Sequence, residues 1–118
     1  SEDGKMVKMI VCAVRKAGLS HEQFDSYWRN QHAAVIKSVP EFTRHVRRYV
    51  QCHLADKDTP FLAASGYDGV AELWFDDVAA VNAAFTEPRY LEVVRADELK
   101  FVDMERTVSL ITEELEVI

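Results

Sequence analysis

A run near the start of the chain, Met6 to Val14 (MVKMIVCAV), is almost entirely apolar and rich in β-branched residues. It constrains the fold more than any other feature, because such a run reads as a central strand covered on both faces. A chain built around that strand must supply or recruit cover for two sides of a sheet. The 118 residues amount to one domain, since a single core typically serves ~100–150 residues. With 48% hydrophobic residues the chain can fill a core but has little to spare for a deep private cavity. Completing a site by pairing with a second copy is one solution.

The remaining pattern falls into alternating periods. After a turn at Gly18, Ser20 to Gln23 (SHEQ) matches a capping box and opens a helix that runs to about Lys37, ended by Val39-Pro40. Phe24, Trp28, Val35 and Val39 form its apolar stripe, with Gln31 and His32 on the edges. Thr43 to Leu54 reads as a long strand. One of its parities is largely apolar (Val46, Arg48, Val50, Cys52, Leu54), and the other is polar-aromatic (His45, Arg47, Tyr49, Gln51, His53). Ala55 to Asp68 is a loop, and Gly69 to Phe75 a third strand. Asp76 or Asp77 caps a second helix carrying Val78, Val81 and Phe85, interrupted near Glu87-Pro88 and resumed to about Arg95. Thr107 to Val117 supplies the last strand.

The order β-α-β-β-α-β predicts an α+β, ferredoxin-like protomer: an antiparallel four-stranded sheet with both helices on one face. Its other, half-apolar face then needs a second protomer. Residues 6–118 form the single domain, and residues 1–5 read as a disordered lead-in or processing remnant. The net charge of -6 argues against a nucleic-acid partner. No apolar run approaches the ~20 residues of a membrane span, and no signal-peptide pattern opens the sequence. Cys12 and Cys52 read as buried free thiols, and a cytoplasmic location is expected.

Four blocks resemble one known family. Ser20-x-x-x-Phe24-x-x-Tyr27-Trp28-Arg29-x-x-His32 is similar to the opening helix of the EthD family, and Val39-Pro40 with Arg48-Tyr49-Val50-Gln51-x-His53 to its second strand. Tyr67 to Phe75 (YDGVAELWF) resembles its third strand, and Asp97-Glu98-x-x-Phe101-Val102-Asp103 its closing stretch. The resemblance covers about Val7 to Ile118 and implies a dimeric α/β barrel, in which two sheets pack face to face with helices outside. Relatives on that architecture include polyketide cyclases, a methylmuconolactone isomerase, fungal polyketide decarboxylases or dehydratases, and cofactor-independent monooxygenases. Fold transfers across such a group, and chemistry does not.

Among candidate residues His32 comes first. With Trp28 and Ile36 four residues to either side, its imidazole lies beside apolar surface, which disfavours the charged form and leaves a neutral base. The family motif carries a histidine near the pocket at this position. The bland alternative is a core-edge histidine bonded to a strand carbonyl. His53 could be a second acid or base, with Tyr49 hydrogen-bonding a substrate oxygen, or it could be a solvated strand-end residue. Trp28, Trp74, Phe85, Tyr90 and Phe101 could wall a pocket for a flat apolar ligand, or simply be core. Tyr90 stands where some polyketide cyclases carry histidine, a departure from that chemistry. Asp97 could orient a pocket histidine or cap a helix locally. Arg44, Arg47 and Arg48 could meet a substrate carboxylate, but pairing with acids such as Glu72 is the favoured reading.

No metal is expected: His45 and His53 would lie roughly 26 Å apart along one strand, and no Cys/His spacing or His-Glu-x-x-His pattern occurs. There is no Gly-x-Ser-x-Gly elbow, and the isolated glycines form no phosphate loop, so no nucleotide cofactor is expected. The reading is therefore a homodimer binding a small hydrophobic aromatic or polyketide-like molecule. As an enzyme it would be a cofactor-independent lyase or isomerase catalysing cyclisation, dehydration, decarboxylation or lactone rearrangement. His32 and His53 would exchange protons, and Tyr49 or Tyr90 would stabilise an oxyanion. The alternatives are a non-catalytic ligand-binding or accessory domain supporting an enzyme such as a cytochrome P450, and a cofactor-free or haem-degrading monooxygenase.

Overall fold

The computed structural model describes residues 6–56 and 64–118. The expected lead-in at residues 1–5 and the middle of the loop from Ala55 to Asp68 lie outside them. Four strands, β1 (Val7–Ala13), β2 (Arg48–His53), β3 (Gly69–Phe75) and β4 (Val108–Thr112), form one sheet in the order β2-β3-β1-β4. All pairings are antiparallel. The apolar run does lie at the centre, as β1.

The first helical layer begins where the local chemistry says it should. Gln23 N donates to Ser20 Oγ at 3.0 Å, and Ser20 N donates to Gln23 Oε1 at 2.8 Å, closing the capping box of α1 (His21–Tyr27). The helix then passes through a π-helical turn (Trp28–His32) into α2 (Ala33–Lys37). The wider turn shifts the buried stripe: Phe24, Trp28, His32 and Ile36 face the core, and Val35, expected on the stripe, is only half-buried. π-Helical turns of this kind are frequent at functional sites.

Three expected boundaries need correction. The strand foreseen from Thr43 is shorter, because Pro40 opens a helical turn, α3 (Pro40–Thr43), whose Phe42 is buried. Arg44 N donates to Pro40 O at 2.9 Å, so strand pairing starts only at Arg48, and His45 is off the strand. The last strand ends at Thr112, opposite Lys8, short of the expected Val117. In the second layer, α4 (Val78–Thr86) is capped by Asp77, whose side chain accepts from Ala80 N, and it breaks at Glu87. After Pro88 the chain makes a second π-helical turn (Tyr90–Arg95) and continues into α5 (Ala96–Glu98). Asp97 is therefore within the helical segment rather than after it.

Both layers pack on one face of the sheet. Gly69, Ala71, Leu73 and Phe75 of β3 are buried beneath them, while Val70, Glu72 and Trp74 point to the other face and stay half-exposed. The strand registers carry this division across the sheet. Tyr49, Gln51 and His53 share the helix-covered face, and Arg48, Val50 and Cys52 the open one. Cover for the second face of β1 thus does not come from the described residues.

Gly69 has a spatial reason. A Cβ there would stand 2.5 Å from Trp28 Cζ3, so the absent side chain lets the indole lie directly on β3.

Candidate active site

Between the helices and the covered face lies a cavity of about 360 Å³. Its walls are mainly apolar and aromatic: Phe24, Trp28, Phe42, Phe85 and Phe101 from the helical side, and Met9, Val11, Ala71 and Leu73 from the sheet. Polar groups reach it at few points, chiefly His32, Tyr49, Tyr90, Arg95 and Glu98. A mainly apolar cleft with a few convergent polar groups is the usual form of a small-molecule site.

Both π-helical turns aim residues at this space. The first carries Trp28 and His32, the second Tyr90, Val94 and Arg95. His32 is 4% exposed, and its Nδ1 lies 2.7 Å from Oδ2 of the equally buried Asp97. The other carboxylate oxygen accepts from Tyr27 OH at 2.5 Å, with Lys100 Nζ at 3.7 Å. Burial pushes the Asp97 carboxyl up. The hydrogen bonds from Tyr27 and His32, with the charge of Lys100, outweigh it and hold the group below the usual carboxylate range. Burial and the bond to Asp97 push the Tyr27 phenol up to about 12. Asp97 is thus an anionic acceptor, and it fixes the proton of His32 on Nδ1. That leaves Nε2 as the basic nitrogen of a ring that lines the cavity.

Pairing with a carboxylate does not by itself mark His32. His21 Nδ1 lies 2.9 Å from Asp68, His45 Nε2 lies 3.3 Å from Glu87, and His53 Nδ1 bonds Asp25. All four histidines have such a partner, and His32 is the one that lines the cavity. His53, expected as a second acid or base, is not brought to the cavity. Its Nε2 is held by Gln51 Oε1 at 2.8 Å and its ring packs on Trp28, 4.6 Å between centroids. The end of β2 lies beyond the indole, which separates the two.

Of the other expected residues, Trp28, Tyr49, Phe85, Tyr90 and Phe101 line the cavity, and Asp97 stands behind His32. Trp74 does not: its parity on β3 puts it on the open face, with Lys8 Nζ 5.1 Å and Arg48 Cζ 4.6 Å from its ring. Two of the three arginines pair with acids, though not with Glu72, and Arg48 lies over the Trp74 ring instead. Arg44 bonds Glu87 and Arg47 bonds Asp76, each at 2.8 Å, and Glu72 takes Lys8 at 2.9 Å. Cys12 and Cys52 are free thiols, half-buried on the open face rather than in the core. Among the described residues no cluster could hold a metal ion, and no helix is long and apolar enough to cross a membrane.

Tyr27, Arg95 and Glu98 were not foreseen as site residues. The signal available for Tyr27 is its spacing of five residues before His32, which only a π-helical turn brings to one acceptor. Arg95 and Glu98 carry an i, i+3 charge pattern, which is common on any exposed helix.

The fold and the cavity define a ferredoxin-like α+β protomer with a carboxylate-oriented histidine in its helix–sheet cleft. Within that class, the chain belongs to the EthD family, whose domain matches residues 16–105. Its sequence is similar to a conidial pigment biosynthesis dehydratase EthD from Metarhizium robertsii, 26% identical over 119 residues covering 93% of this chain and 83% of that one. It is also similar to the dehydratase aurZ from Gibberella zeae, 24% identical over 111 residues covering 86% and 72%. A hydroxynitrile lyase from Passiflora edulis has the same fold, with a TM-score of 0.70, 21% identity and 98% of each chain covered. So does a dimeric ferredoxin-like protein of unknown function from Bacteroides fragilis, with a TM-score of 0.65, 16% identity and 92% and 96% covered.

Proposed function

We propose that this chain is a lyase of the dehydratase kind, acting by acid/base chemistry on a small hydrophobic aromatic or polyketide-like molecule. The observation that carries the reading is His32: a buried imidazole lining an apolar cavity, its Nδ1 engaged by a buried anionic carboxylate. The dehydratases among its relatives favour dehydration over the isomerase branch.

In this scheme Nε2 of His32 takes a proton from the carbon next to a substrate carbonyl, and Asp97 stabilises the imidazolium that forms. Negative charge collects on the carbonyl oxygen, where the Tyr49 hydroxyl can donate. Burial, reinforced by the Glu98 charge, pushes the Tyr49 phenol up, so it keeps its proton for that purpose. The carbon–carbon double bond forms as the bond to the β-hydroxyl breaks, and the imidazolium returns its proton to that oxygen. One C–H and one C–O bond are lost, one C=C and one water are made, and His32 is regenerated. Every proton is carried by the chain's own side chains, with His32 filling both roles once assigned to two histidines.

The test is turnover of a β-hydroxy ketone bearing an aromatic ring, followed by the absorbance of the conjugated enone. His32→Ala is expected to lower kcat by about 10²–10⁴-fold while ligand affinity holds within about threefold. Equal turnover in the variant would sink the scheme. Binding without turnover in the parent chain would instead favour the accessory-domain reading.

The open sheet face supports a homodimer. Ile10, Val50 and Val70 are half-exposed on it, and Val108 and Leu110 are exposed at 45% and 52%. A second copy seated there would give β1 the cover on both faces that its composition demands.

A further inference from the structure

Asp97 and Glu98 are consecutive, yet they serve different parts of the cavity. Asp97 reaches His32 and Tyr27, whereas Glu98 turns to Tyr90 and Arg95. The Tyr90 hydroxyl lies 2.9 and 3.0 Å from the two Glu98 oxygens. Arg95 donates Nε to Glu98 Oε1 at 2.9 Å and Nη2 to Tyr90 OH at 3.2 Å, its guanidinium lying 5.5 Å from the tyrosine ring centroid. The two groups sit in separate aromatic clusters. His32 packs on Phe101, while Tyr90 stacks on Phe42 and meets Phe85 edge-on, at 4.9, 5.0 and 5.0 Å between centroids.

Glu98 and Arg95 are the carboxylate and guanidinium side chains that line the cavity, and they pair with each other. An unpaired guanidinium would select a carboxylate by bidentate hydrogen bonding. Here one of its edges is already spent on Glu98 and Tyr90. A ligand carboxylate would also meet the Glu98 charge at close range, and like charges repel. A neutral hydroxyl meets neither obstacle. It can donate to Glu98, whose two oxygens offer about four acceptor sites, and accept from a remaining Arg95 N–H.

Resting on the cavity being the substrate site, we propose that Tyr90, Arg95 and Glu98 form a clamp for a neutral hydroxyl group on the substrate ring, remote from the bond that breaks. Glu98 is then a specificity residue that excludes aromatic acids. The substrate class narrows to hydroxylated, uncharged aromatic molecules.

Fluorescence of Trp28, isolated in a Trp74→Phe background because Trp74 lies on the other face, reads binding of 2-naphthol, naphthalene and 2-naphthoate. The background chain is expected to bind 2-naphthol at least about fivefold tighter than either of the others, as one well-placed hydrogen bond to a charged group allows. Glu98→Gln keeps the side chain's shape and frees the Arg95 charge. 2-Naphthoate should then gain about tenfold and 2-naphthol lose its lead. Adding Arg95→Met should cancel the naphthoate gain, and Arg95→Met alone should leave 2-naphthol ahead of naphthalene, because Glu98 still accepts from its hydroxyl. An unchanged ranking in Glu98→Gln, 2-naphthoate tightest in the background chain, or no binding of any probe would overturn the clamp. His32→Ala separates the two proposals: it should leave the ranking intact while removing turnover. Turnover that survives His32→Ala beside a ranking that shifts with Glu98→Gln would sink the dehydratase and keep the clamp.

Discussion

The two faces of the sheet solve the same problem in opposite ways. On the covered face, polar groups are few and each is tied to a partner: Asp97 to His32 and Tyr27, Glu98 to Tyr90 and Arg95. Among the described residues no buried side-chain polar atom there or elsewhere lacks a hydrogen bond. On the open face, Lys8, Glu72, Arg48 and Glu114 surround Trp74, between strips of half-exposed Ile10, Val50 and Val70. The first face is finished within one chain and encloses a site. The second is half a core with charges already arranged, an arrangement suited to meeting another surface. The contrast separates stability from assembly, since most single-chain packing lies on one side.

The largest expected effect breaks the covered face. Phe24 is fully buried and touches both Trp28 and Phe101, at 5.7 and 5.4 Å between centroids. Phe24→Ala should cost about 3–5 kcal/mol in urea unfolding, whatever the protein concentration. Gly69→Ala should cost less, about 1–3 kcal/mol, because the new methyl group pushes the Trp28 ring off β3. Its signature is a weakened naphthol-induced change in Trp28 fluorescence at intact fold. A Gly69→Ala chain with unaltered Trp28 response would show that the indole has room the geometry denies it.

These two positions also show what could be read from residues alone. The core strand, the Ser20 cap, the Asp77 cap and the break at Glu87-Pro88 are legible because each depends on neighbours a few residues away. Phe24 and Trp28 follow from helical spacing. The π-helical turns do not, because they are set by tertiary packing, so Asp97 is legible as a residue that could orient a histidine while the Tyr27 bond to it and the Arg95–Glu98 pair beside Tyr90 stay hidden. Strand parity was legible, but which parity faces the helices was not. Tyr49, Gln51 and His53 form the polar-aromatic parity, yet it is this parity that lies under the helices, where Tyr49 lines the mainly apolar cavity. Trp74 fails for the converse reason, an aromatic residue on the face that a single chain leaves open.

Acid sharpens the comparison further. A carboxyl held below its unfolded value, about 3.9 for Asp and about 4.3 for Glu, contributes stability that is fully present above that pH and is lost as pH falls toward the lower folded value. Asp97 on the covered face and Glu72 on the open one are both lowered, Asp97 against the pull of burial, and Glu72 chiefly by its hydrogen bond from Lys8. Both contributions should therefore vanish on the acid side, below about pH 4. Asp97→Asn should flatten part of that acid loss at any ionic strength. In a chain kept monomeric the part removed by Glu72→Gln should shrink in high salt, because a partly solvated pair is screened more than a buried one. Equal salt sensitivity of the two would mean that the faces do not differ as described.

The smallest effect carries the most information about assembly. In a single chain the Lys8–Glu72 pair is partly solvated, with side chains 15% and 25% exposed, and surface pairs are worth about 0–1 kcal/mol. Glu72→Gln measured in a background that keeps the chain monomeric, such as Leu110→Glu, should therefore change unfolding free energy by less than about 1 kcal/mol. Burying the same pair under a second copy changes the sign of the argument. Removing Glu72 then leaves a desolvated Lys8 with only the longer pair to Glu114 at 3.5 Å, a loss approaching that of a broken buried pair, about 3–5 kcal/mol. Sedimentation velocity should show Leu110→Glu shifting the parent chain toward monomer. Glu72→Gln should be nearly silent in the monomer and costly in the assembly. A cost that stays small at every concentration would leave the open face uncovered, and the homodimer reading would fall with it.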